Sequence, residues 1–129
     1  MKTLHTFFTL LLLASGLMAC NAQSTTGFTN ISEKEFAEKA QAENTIILDV
    51  RTPQEVAEGR IAGASLFIDI NDSQFAEKMQ ALDKSKTYLV YCRSGARSSK
   101  ASSWMAENGF SQVYNLKGGI LGWSGTIEK

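Results

Sequence analysis

Apolar residues follow two alternating patterns along the chain after about residue 29. Short continuous apolar runs with β-branched or aromatic residues are typical of strands that are buried on both faces. Four such runs predict strands, at 45–50, 64–70, 87–92 and 112–116. Because helical patterns separate these runs, the chain is predicted to form an α/β fold with a parallel sheet.

Helix-start signals and apolar residues at helical spacing predict the helices. Ser32 with Glu35, and Thr52 with Glu55, have the spacing of capping boxes, and Gly109 is placed to end a helix. The predicted helices span about 32–42, 52–59, 75–82 and 98–108, and the glycines of 118–123 lead into a last short helix. About 110 residues follow residue 19, which is enough for one small core and not for two.

The first twenty residues have the layout of an export signal. Lys2 precedes a mostly apolar stretch that is shorter than the roughly 20 residues of a membrane span. The junction Leu17-Met18-Ala19-Cys20 resembles the bacterial lipobox, which implies that Cys20 is lipidated and becomes the mature N-terminus. A plain signal peptide that is cut near Ala19 is the alternative.

This arrangement predicts a signal peptide at 1–19, a polar tether at 20–28 and one domain at 29–129. The expected protein is an exported bacterial lipoprotein that is held at a membrane by its lipid anchor, on the periplasmic or cell-surface side. Loss of Lys2 with the signal leaves 12 Lys and Arg against 13 Asp and Glu. Such a balance, without a basic stripe, gives no support for nucleic-acid binding.

Cys92 is the one cysteine inside the predicted domain, and it follows a strand. It is core filler, half of a disulfide, a metal ligand or a nucleophile. If Cys20 is lipidated, Cys92 has no intramolecular disulfide partner. The only histidine is His5, in the signal, so the mature chain lacks Cys-His and Ser-His catalytic pairs and most zinc sites. No metal site is therefore predicted.

The residues after Cys92 favour the nucleophile. Gly95 and its small neighbours allow successive backbone N–H groups to point at one spot, at the N-terminus of a helix. Together with the basic side chains of the loop, these groups favour a thiolate, so the pKa of Cys92 is expected to lie below its ordinary value. The residues predicted to bind the substrate are Arg93, Ser94, Gly95, Ala96 and Arg97. For Arg97, a second role is open, in which it pairs with an acidic side chain and braces the loop.

Four segments, in this order, resemble the rhodanese (sulfurtransferase) family: "LDVRTPQEVAEGRIAGA", "YLVYC", "CRSGAR" and "GGILGW". The resemblance implies a three-layer fold with a central, mostly parallel sheet flanked by helices. It also implies that Cys92 takes sulfane sulfur from a donor such as thiosulfate, holds it as a persulfide, and passes it to cyanide or a thiol. Family members need no metal or organic cofactor. One departure is Gly59-Arg60-Ile61-Ala62-Gly63-Ala64, where the family often reads Gly-His-Ile-Pro-Gly-Ala.

Two other functions compete with sulfur transfer. Cysteine-loop phosphatases and arsenate reductases resemble Cys-x₅-Arg, whereas Arg97 here gives Cys-x₄-Arg and Ser98 stands where the longer loop has arginine. The shorter loop suits a single sulfur atom better than a phosphate. A non-catalytic binding or regulatory module is the other alternative, against which the intact Cys92 loop argues.

Overall fold

The computed structural model describes residues 27–129, and its elements alternate between strands and helices. The helices are α1 (Glu33–Lys39), α2 (Pro53–Glu58), α3 (Phe75–Gln80) and α4 (Ala96–Glu107), and one 3₁₀ turn lies at Ile120–Gly122. The strands are β1 (Thr29–Ile31), β2 (Thr45–Asp49), β3 (Arg60–Ile61), β4 (Ala64–Phe67), β5 (Thr87–Tyr91), β6 (Gln112–Leu116) and β7 (Ile127–Glu128).

Five strands form one parallel sheet in the order β1-β6-β5-β2-β4, with β5 in the middle. In the register, Asp49 at the end of β2 lies opposite Tyr91 at the end of β5. Because all five strands are parallel, their carboxyl ends lie at one edge of the sheet. The loops that follow β2 and β5 are therefore neighbours. β3 and β7 form a separate antiparallel pair.

The sheet separates two apolar clusters. Successive side chains of a strand point to opposite faces, so Val90 of β5 belongs to one cluster and Leu89 to the other. Met79 of α3 and Met105 of α4 pack into the first cluster, and Phe36 of α1 packs into the second. The fold thus has helices on both faces of a central parallel sheet, which confirms the predicted α/β class.

The sequence pattern does not predict the short strands β1, β3 and β7. Each has two or three residues, too few to show the period of a strand. β1 extends the sheet along β6, and Phe28, which the sequence assigns to the tether, packs against the cluster of α3 and α4. β4 also ends earlier than expected, at Phe67, although the Ile68 N–H still donates to the Asp49 carbonyl oxygen over 3.0 Å.

The signal peptide, the lipobox and most of the predicted tether lie outside the described residues. The lipidation of Cys20 therefore stays a prediction. Within 27–129, no helix combines the length and the apolar composition that crossing a bilayer requires.

Candidate active site

Cys92 follows β5, the central strand, at the carboxyl edge of the sheet. The side chain is buried, with 1% of the residue exposed, and its thiol is free. Four consecutive buried residues, 88–91, fix the end of the strand inside the core. The cysteine is therefore placed by one of the best-packed strands in the fold.

The loop of residues 92–95 curls around the sulfur atom. Gly95 has a φ of +100°, a left-handed conformation that other residues rarely adopt. Its N–H donates a hydrogen bond to Cys92 Sγ over 3.1 Å. Ser98, in the first turn of α4, donates its hydroxyl hydrogen to the same sulfur, with an Oγ–Sγ distance of 3.3 Å. The sulfur thus lies inside a ring of donors, as the small residues of the loop predict.

Helix α4 begins at Ala96, two residues before the start expected at Ser98. Gly95 turns the chain directly into the helix, and no side chain caps this N-terminus. Ser98 is consequently a first-turn residue that is fully buried against the sulfur. Sequence analysis misses Ser98 as a site residue, because a serine at a helix start is ordinarily assigned to capping.

The loop lowers the pKa of the Cys92 thiol. Burial by itself raises this pKa, but hydrogen bonds to the sulfur outweigh burial. They come from the Ser98 hydroxyl, followed by the backbone N–H groups of Ser98, Gly95 and Ser94. The predicted direction is therefore confirmed, while the main cause is hydrogen bonding rather than the charge of the loop arginines.

Two glycines, Gly95 in the loop and Gly119 in the C-terminal segment, let these two parts of the chain pack tightly together. A Cβ on Gly119 would lie 2.2 Å from the Arg93 carbonyl oxygen, and one on Gly95 would lie 2.5 Å from the Lys117 carbonyl oxygen. The Ile120 N–H donates to the Cys92 carbonyl oxygen over 2.9 Å, and the neighbouring N–H of Leu121 donates to Arg93 over 3.1 Å. The "GGILGW" segment therefore forms a wall that holds the backbone of the loop.

Arg97 forms a two-pronged ion pair with Glu55 of α2. Its two terminal nitrogens donate to the two carboxylate oxygens over 2.7 and 2.8 Å. The hydrogen bonds from Arg97 lower the pKa of Glu55 to about 2. This geometry favours the bracing role of Arg97, since the guanidinium joins the start of α4 to α2.

The other loop residues face outward. Arg93, Ser94 and Ala96 are exposed, whereas Gly95 is buried. Arg93 forms no ion pair among residues 27–129. Of the predicted substrate-binding residues, Ser94 and Gly95 thus supply backbone N–H donors to the sulfur, and the side chain of Arg93 is exposed to solvent.

A buried ion pair lies beneath the neighbouring loop, after β2. Arg51 donates to the Asp49 carboxylate with its Nη2 over 2.7 Å, and to the Gly59 carbonyl oxygen over 2.8 Å. Tyr91 packs beside this pair, and its hydroxyl oxygen accepts a hydrogen bond from the Ile61 N–H over 3.1 Å. Burial raises the pKa of the Tyr91 hydroxyl above its ordinary value. These groups fix the segment around Gly59 against the sheet.

The segment that departs from the family pattern, 59–64, contains β3 and its turn. Arg60 pairs with Glu128 of β7 in the register, and its guanidinium lies 5.9 Å from the ring centre of Phe67. No described group of three or more His, Cys, Asp or Glu side chains is arranged to hold a metal ion. These contacts of Arg60 are with β7 and Phe67 and do not include Cys92.

Comparison with known proteins identifies the family. The model of the Rhodanese-like domain matches residues 32–126. The chain is 41% identical over 99 residues to the Bacillus subtilis (strain 168) protein named "Putative sulfurtransferase YtwF", with 76% of this chain and 92% of that protein covered. A protein of Allochromatium vinosum named "Sulfurtransferase" is 34% identical over 93 residues, with 72% of this chain and 84% of that protein covered.

Solved structures agree with this match. A rhodanese-like domain protein from Staphylococcus aureus has a TM-score of 0.68 and 27% identity, over 78% of this chain and 97% of that one. Relatives named as sulfurtransferases support sulfur-transfer chemistry in the broad sense. The chain belongs to the rhodanese-like domain family.

Proposed function

We propose that the protein is a sulfurtransferase that moves sulfane sulfur from a donor such as thiosulfate to cyanide or a thiol through a persulfide on Cys92. The observation that carries the proposal is the ring of N–H and O–H donors around Sγ, which lowers the pKa of the thiol. A thiolate is the nucleophilic form of cysteine. A lower pKa increases the fraction of Cys92 that is thiolate at a given pH, and this is the form that the reaction uses.

In the first step, the Cys92 thiolate attacks the outer sulfur of thiosulfate. A new S–S bond forms, the S–S bond of thiosulfate breaks, and sulfite leaves with the electron pair of that bond. The product carries its negative charge on the terminal sulfur of the persulfide. Donors that are already aligned stabilise such a charge without reorganising.

In the second step, an acceptor nucleophile attacks the terminal sulfur. Cyanide takes that sulfur as thiocyanate, and the S–S bond electrons return to Cys92 as the resting thiolate. A thiolate acceptor takes the terminal sulfur in the same way: its own S–S bond forms, the persulfide S–S bond breaks, and the product is an organic persulfide. Exposed Arg93 is suited to attract anionic donors and acceptors to the loop.

The Cys92 loop is less suited to phosphatase chemistry than to sulfur transfer. Ser98 occupies the position at which a Cys-x₅-Arg loop has arginine, and its hydroxyl hydrogen-bonds to the cysteine sulfur. Arg97 is engaged with Glu55, so it does not supply a free fork for a phosphate. A non-catalytic module would not need an activated thiol.

Mass spectrometry of the full-length chain tests the proposal. After incubation with thiosulfate and removal of the excess, the peptide that contains Cys92 should carry one added sulfur atom. Addition of cyanide should remove that sulfur and release thiocyanate. Cys92→Ser should show neither change, and Cys20→Ser is the matched control that should show both.

Three results would contradict the proposal. A wild-type chain that gains no sulfur from thiosulfate or a polysulfide is a non-catalytic module. Release of phosphate from an aryl phosphate without persulfide formation indicates phosphatase chemistry. Full sulfur transfer by the Cys92→Ser variant would show that Cys92 is not the nucleophile.

We also propose that a lipid on Cys20 holds the protein at a bacterial membrane, facing the periplasm or the cell surface. The support is the sequence Leu17-Met18-Ala19-Cys20 after an apolar stretch. In a detergent phase separation, the wild-type chain should enter the detergent phase and Cys20→Ser the aqueous phase. Wild-type protein in the aqueous phase would overturn the lipid anchor and leave the plain signal peptide.

A further inference from the structure

A buried amide side chain lies behind the Cys92 loop. Asn115, near the end of β6, is 2% exposed. Because side chains alternate along a strand, Asn115 shares a face of the sheet with Val113, which packs in the same apolar cluster as Met105 of α4. A polar side chain on such a face costs stability unless it is hydrogen-bonded. The hydrogen bonds of Asn115 therefore have to compensate for its burial.

The amide nitrogen of Asn115 faces two acceptors. Its Nδ2 donates to Oδ1 of Asn30, opposite it in β1, over 2.9 Å, and to the Gly95 carbonyl oxygen over a longer 3.4 Å. A backbone carbonyl oxygen only accepts, so the NH₂ group and not Oδ1 has to face Gly95. Asn30 thus orients the amide, and the second amide hydrogen is directed at the loop.

The Gly95 carbonyl oxygen is where this amide meets the groups around the sulfur atom. The same oxygen accepts the first hydrogen bond of α4, from the Ser99 N–H over 3.0 Å. It also lies 3.2 Å from the hydroxyl oxygen of Ser98. A carbonyl oxygen has two lone pairs. The Ser99 N–H and the Asn115 amide are together sufficient to occupy both.

Ser98 has two acceptors within reach of a single hydroxyl hydrogen. Its Oγ lies 3.2 Å from the Gly95 carbonyl oxygen and 3.3 Å from Cys92 Sγ. A hydroxyl is one donor, so the two acceptors compete for its hydrogen. Burial raises the pKa of the Cys92 thiol, and the Ser98 hydroxyl is foremost among the hydrogen bonds that lower it. Any group that occupies Gly95 in place of Ser98 therefore favours the thiolate.

We propose that Asn115 is a positioning residue for the Cys92 site: its amide occupies the Gly95 carbonyl oxygen, so that the Ser98 hydroxyl donates its hydrogen to the sulfur atom. Asn115 acts through Gly95 and Ser98 rather than on the sulfur itself. The inference depends on the proposed sulfur transfer only for its consequence, which is a larger fraction of the attacking thiolate. The effect on the thiol can be measured without any sulfur donor.

The pH dependence of Cys92 alkylation by iodoacetamide, followed by mass spectrometry of the full-length chain, tests the proposal. Asn115→Leu keeps a branched side chain and removes the amide. Near neutral pH, alkylation should slow about threefold, because the Ser98 hydroxyl is then shared between two acceptors. At high pH, the rates should converge with wild type. Arg97, whose charge interacts with Cys92, and its partner Glu55 are kept in every variant.

A double variant separates the proposed role from a general loosening of the loop. In Ser98→Ala/Asn115→Leu, the alkylation profile should match that of Ser98→Ala within about 1.5-fold, because the group through which Asn115 acts is already absent. Additive slowing in the double variant would show that Asn115 acts through the structure of the loop, and this would overturn the proposal. An unchanged profile in Asn115→Leu would also overturn it.

Ser102→Ala is the matched control. Ser102 is fully buried one turn after Ser98 on α4, and its hydroxyl oxygen has no hydrogen-bond partner among residues 27–129. The substitution removes a buried oxygen from the same helix without touching Gly95, so the profile should stay that of wild type. The threefold slowing in Ser102→Ala as well would refute a specific role for Asn115.

Asn30→Ala decides the question if Asn115→Leu does not fold. Asn30 is exposed, and its loss removes the acceptor that orients the Asn115 amide. Alkylation near neutral pH should slow about twofold, again only while Ser98 is present. A wild-type profile in Asn30→Ala would then overturn the proposal.

The result is independent of the thiosulfate experiment. If the wild-type chain gains no sulfur but the variants follow the expected alkylation profiles, the role of Asn115 stands and the proposed sulfur transfer fails. If sulfur is transferred but Asn115→Leu is alkylated like wild type, the proposed function stands and the role of Asn115 fails.

Discussion

Two neighbouring strand–loop–helix units differ in how they use the N-terminus of the helix. In the first, β2 leads into α2, and side chains satisfy the helix: Thr52 accepts from the Glu55 N–H over 3.3 Å, while Glu55 accepts from the Thr52 N–H over 3.4 Å. In the second, β5 leads into α4, and no side chain caps the helix. There the N–H groups of the loop and of the first helical turn donate hydrogen bonds to Cys92 Sγ instead.

The difference teaches why one loop is structural and the other is suited to chemistry. A helix N-terminus has unpaired N–H groups and a partial positive charge. A side-chain cap accepts hydrogen bonds from these N–H groups, which are then no longer available to a ligand. Gly95 replaces such a cap with a backbone turn, so these donors stay available to an anion. The two units also cooperate, since Glu55 both caps α2 and holds Arg97 of α4.

The largest expected effect comes from Gly119→Ala, which pushes the wall away from the Cys92 loop. The new Cβ would lie 2.2 Å from the Arg93 carbonyl oxygen, so one backbone has to move. We expect a loss of about 3 kcal/mol in the free energy of unfolding, with loss of persulfide formation. Urea denaturation and mass spectrometry measure the two. Gly122→Ala, which meets nothing within 4 Å, should change neither.

A smaller effect is expected from Ser98→Ala, which removes a donor from the sulfur while keeping the backbone ring. The pKa of Cys92 should rise, so less thiolate is present near neutral pH, and alkylation should slow about tenfold there. At high pH, where both proteins are thiolates, the rates should converge. Ser99→Ala is the control, and an unchanged pH profile in Ser98→Ala would assign Ser98 a purely structural role.

The smallest effect is expected from Glu55→Gln, which breaks the link between the two units. We expect the free energy of unfolding to fall by about 1 to 2 kcal/mol at pH 7, because a charge-assisted hydrogen-bonded pair is lost at a partly exposed site. The pKa of Glu55 lies at about 2, below its ordinary 4.5. The pair therefore stabilises the fold above pH 4.5, and its contribution is lost as the pH falls towards 2.

Urea denaturation at several pH values measures this difference. Glu58→Gln, one turn further along α2 and outside the ion pairs of the described residues, is the matched control. Persulfide formation should persist in Glu55→Gln. A loss of sulfur transfer as complete as that of Cys92→Ser would show that Arg97 and Glu55 take part in the chemistry.

The sequence predicts those helices and strands whose position depends on residues within the element or next to it. The apolar run that becomes β5, the capping box of Thr52 and Glu55, and the stop at Gly109 all lie close to their expected places. Their physical causes are burial, side-chain capping and left-handed glycine, which act over a few residues. The position of Cys92 at the end of a strand follows from the same local pattern.

Features that depend on contacts across the fold are not predictable in this way. The pairing of Arg97 with Glu55 joins residues 42 positions apart, and the contact of Gly119 with the Cys92 loop depends on the path of the C-terminal segment. Ser98 gives a capping signal, yet its hydroxyl faces the sulfur because α4 begins at Ala96. The sequence thus places Cys92 at the end of a strand, while the contacts around its sulfur atom emerge from the tertiary structure.

The most direct test of the account is the pH dependence of Cys92 alkylation by iodoacetamide in the folded chain. Mass spectrometry follows the peptide that contains Cys92, and the same chain in urea gives the unfolded reference. The account predicts a midpoint below both the reference and the ordinary cysteine pKa of about 8.5, with protection after thiosulfate treatment. A midpoint at or above the unfolded reference would contradict the central claim that the loop holds a thiolate at rest.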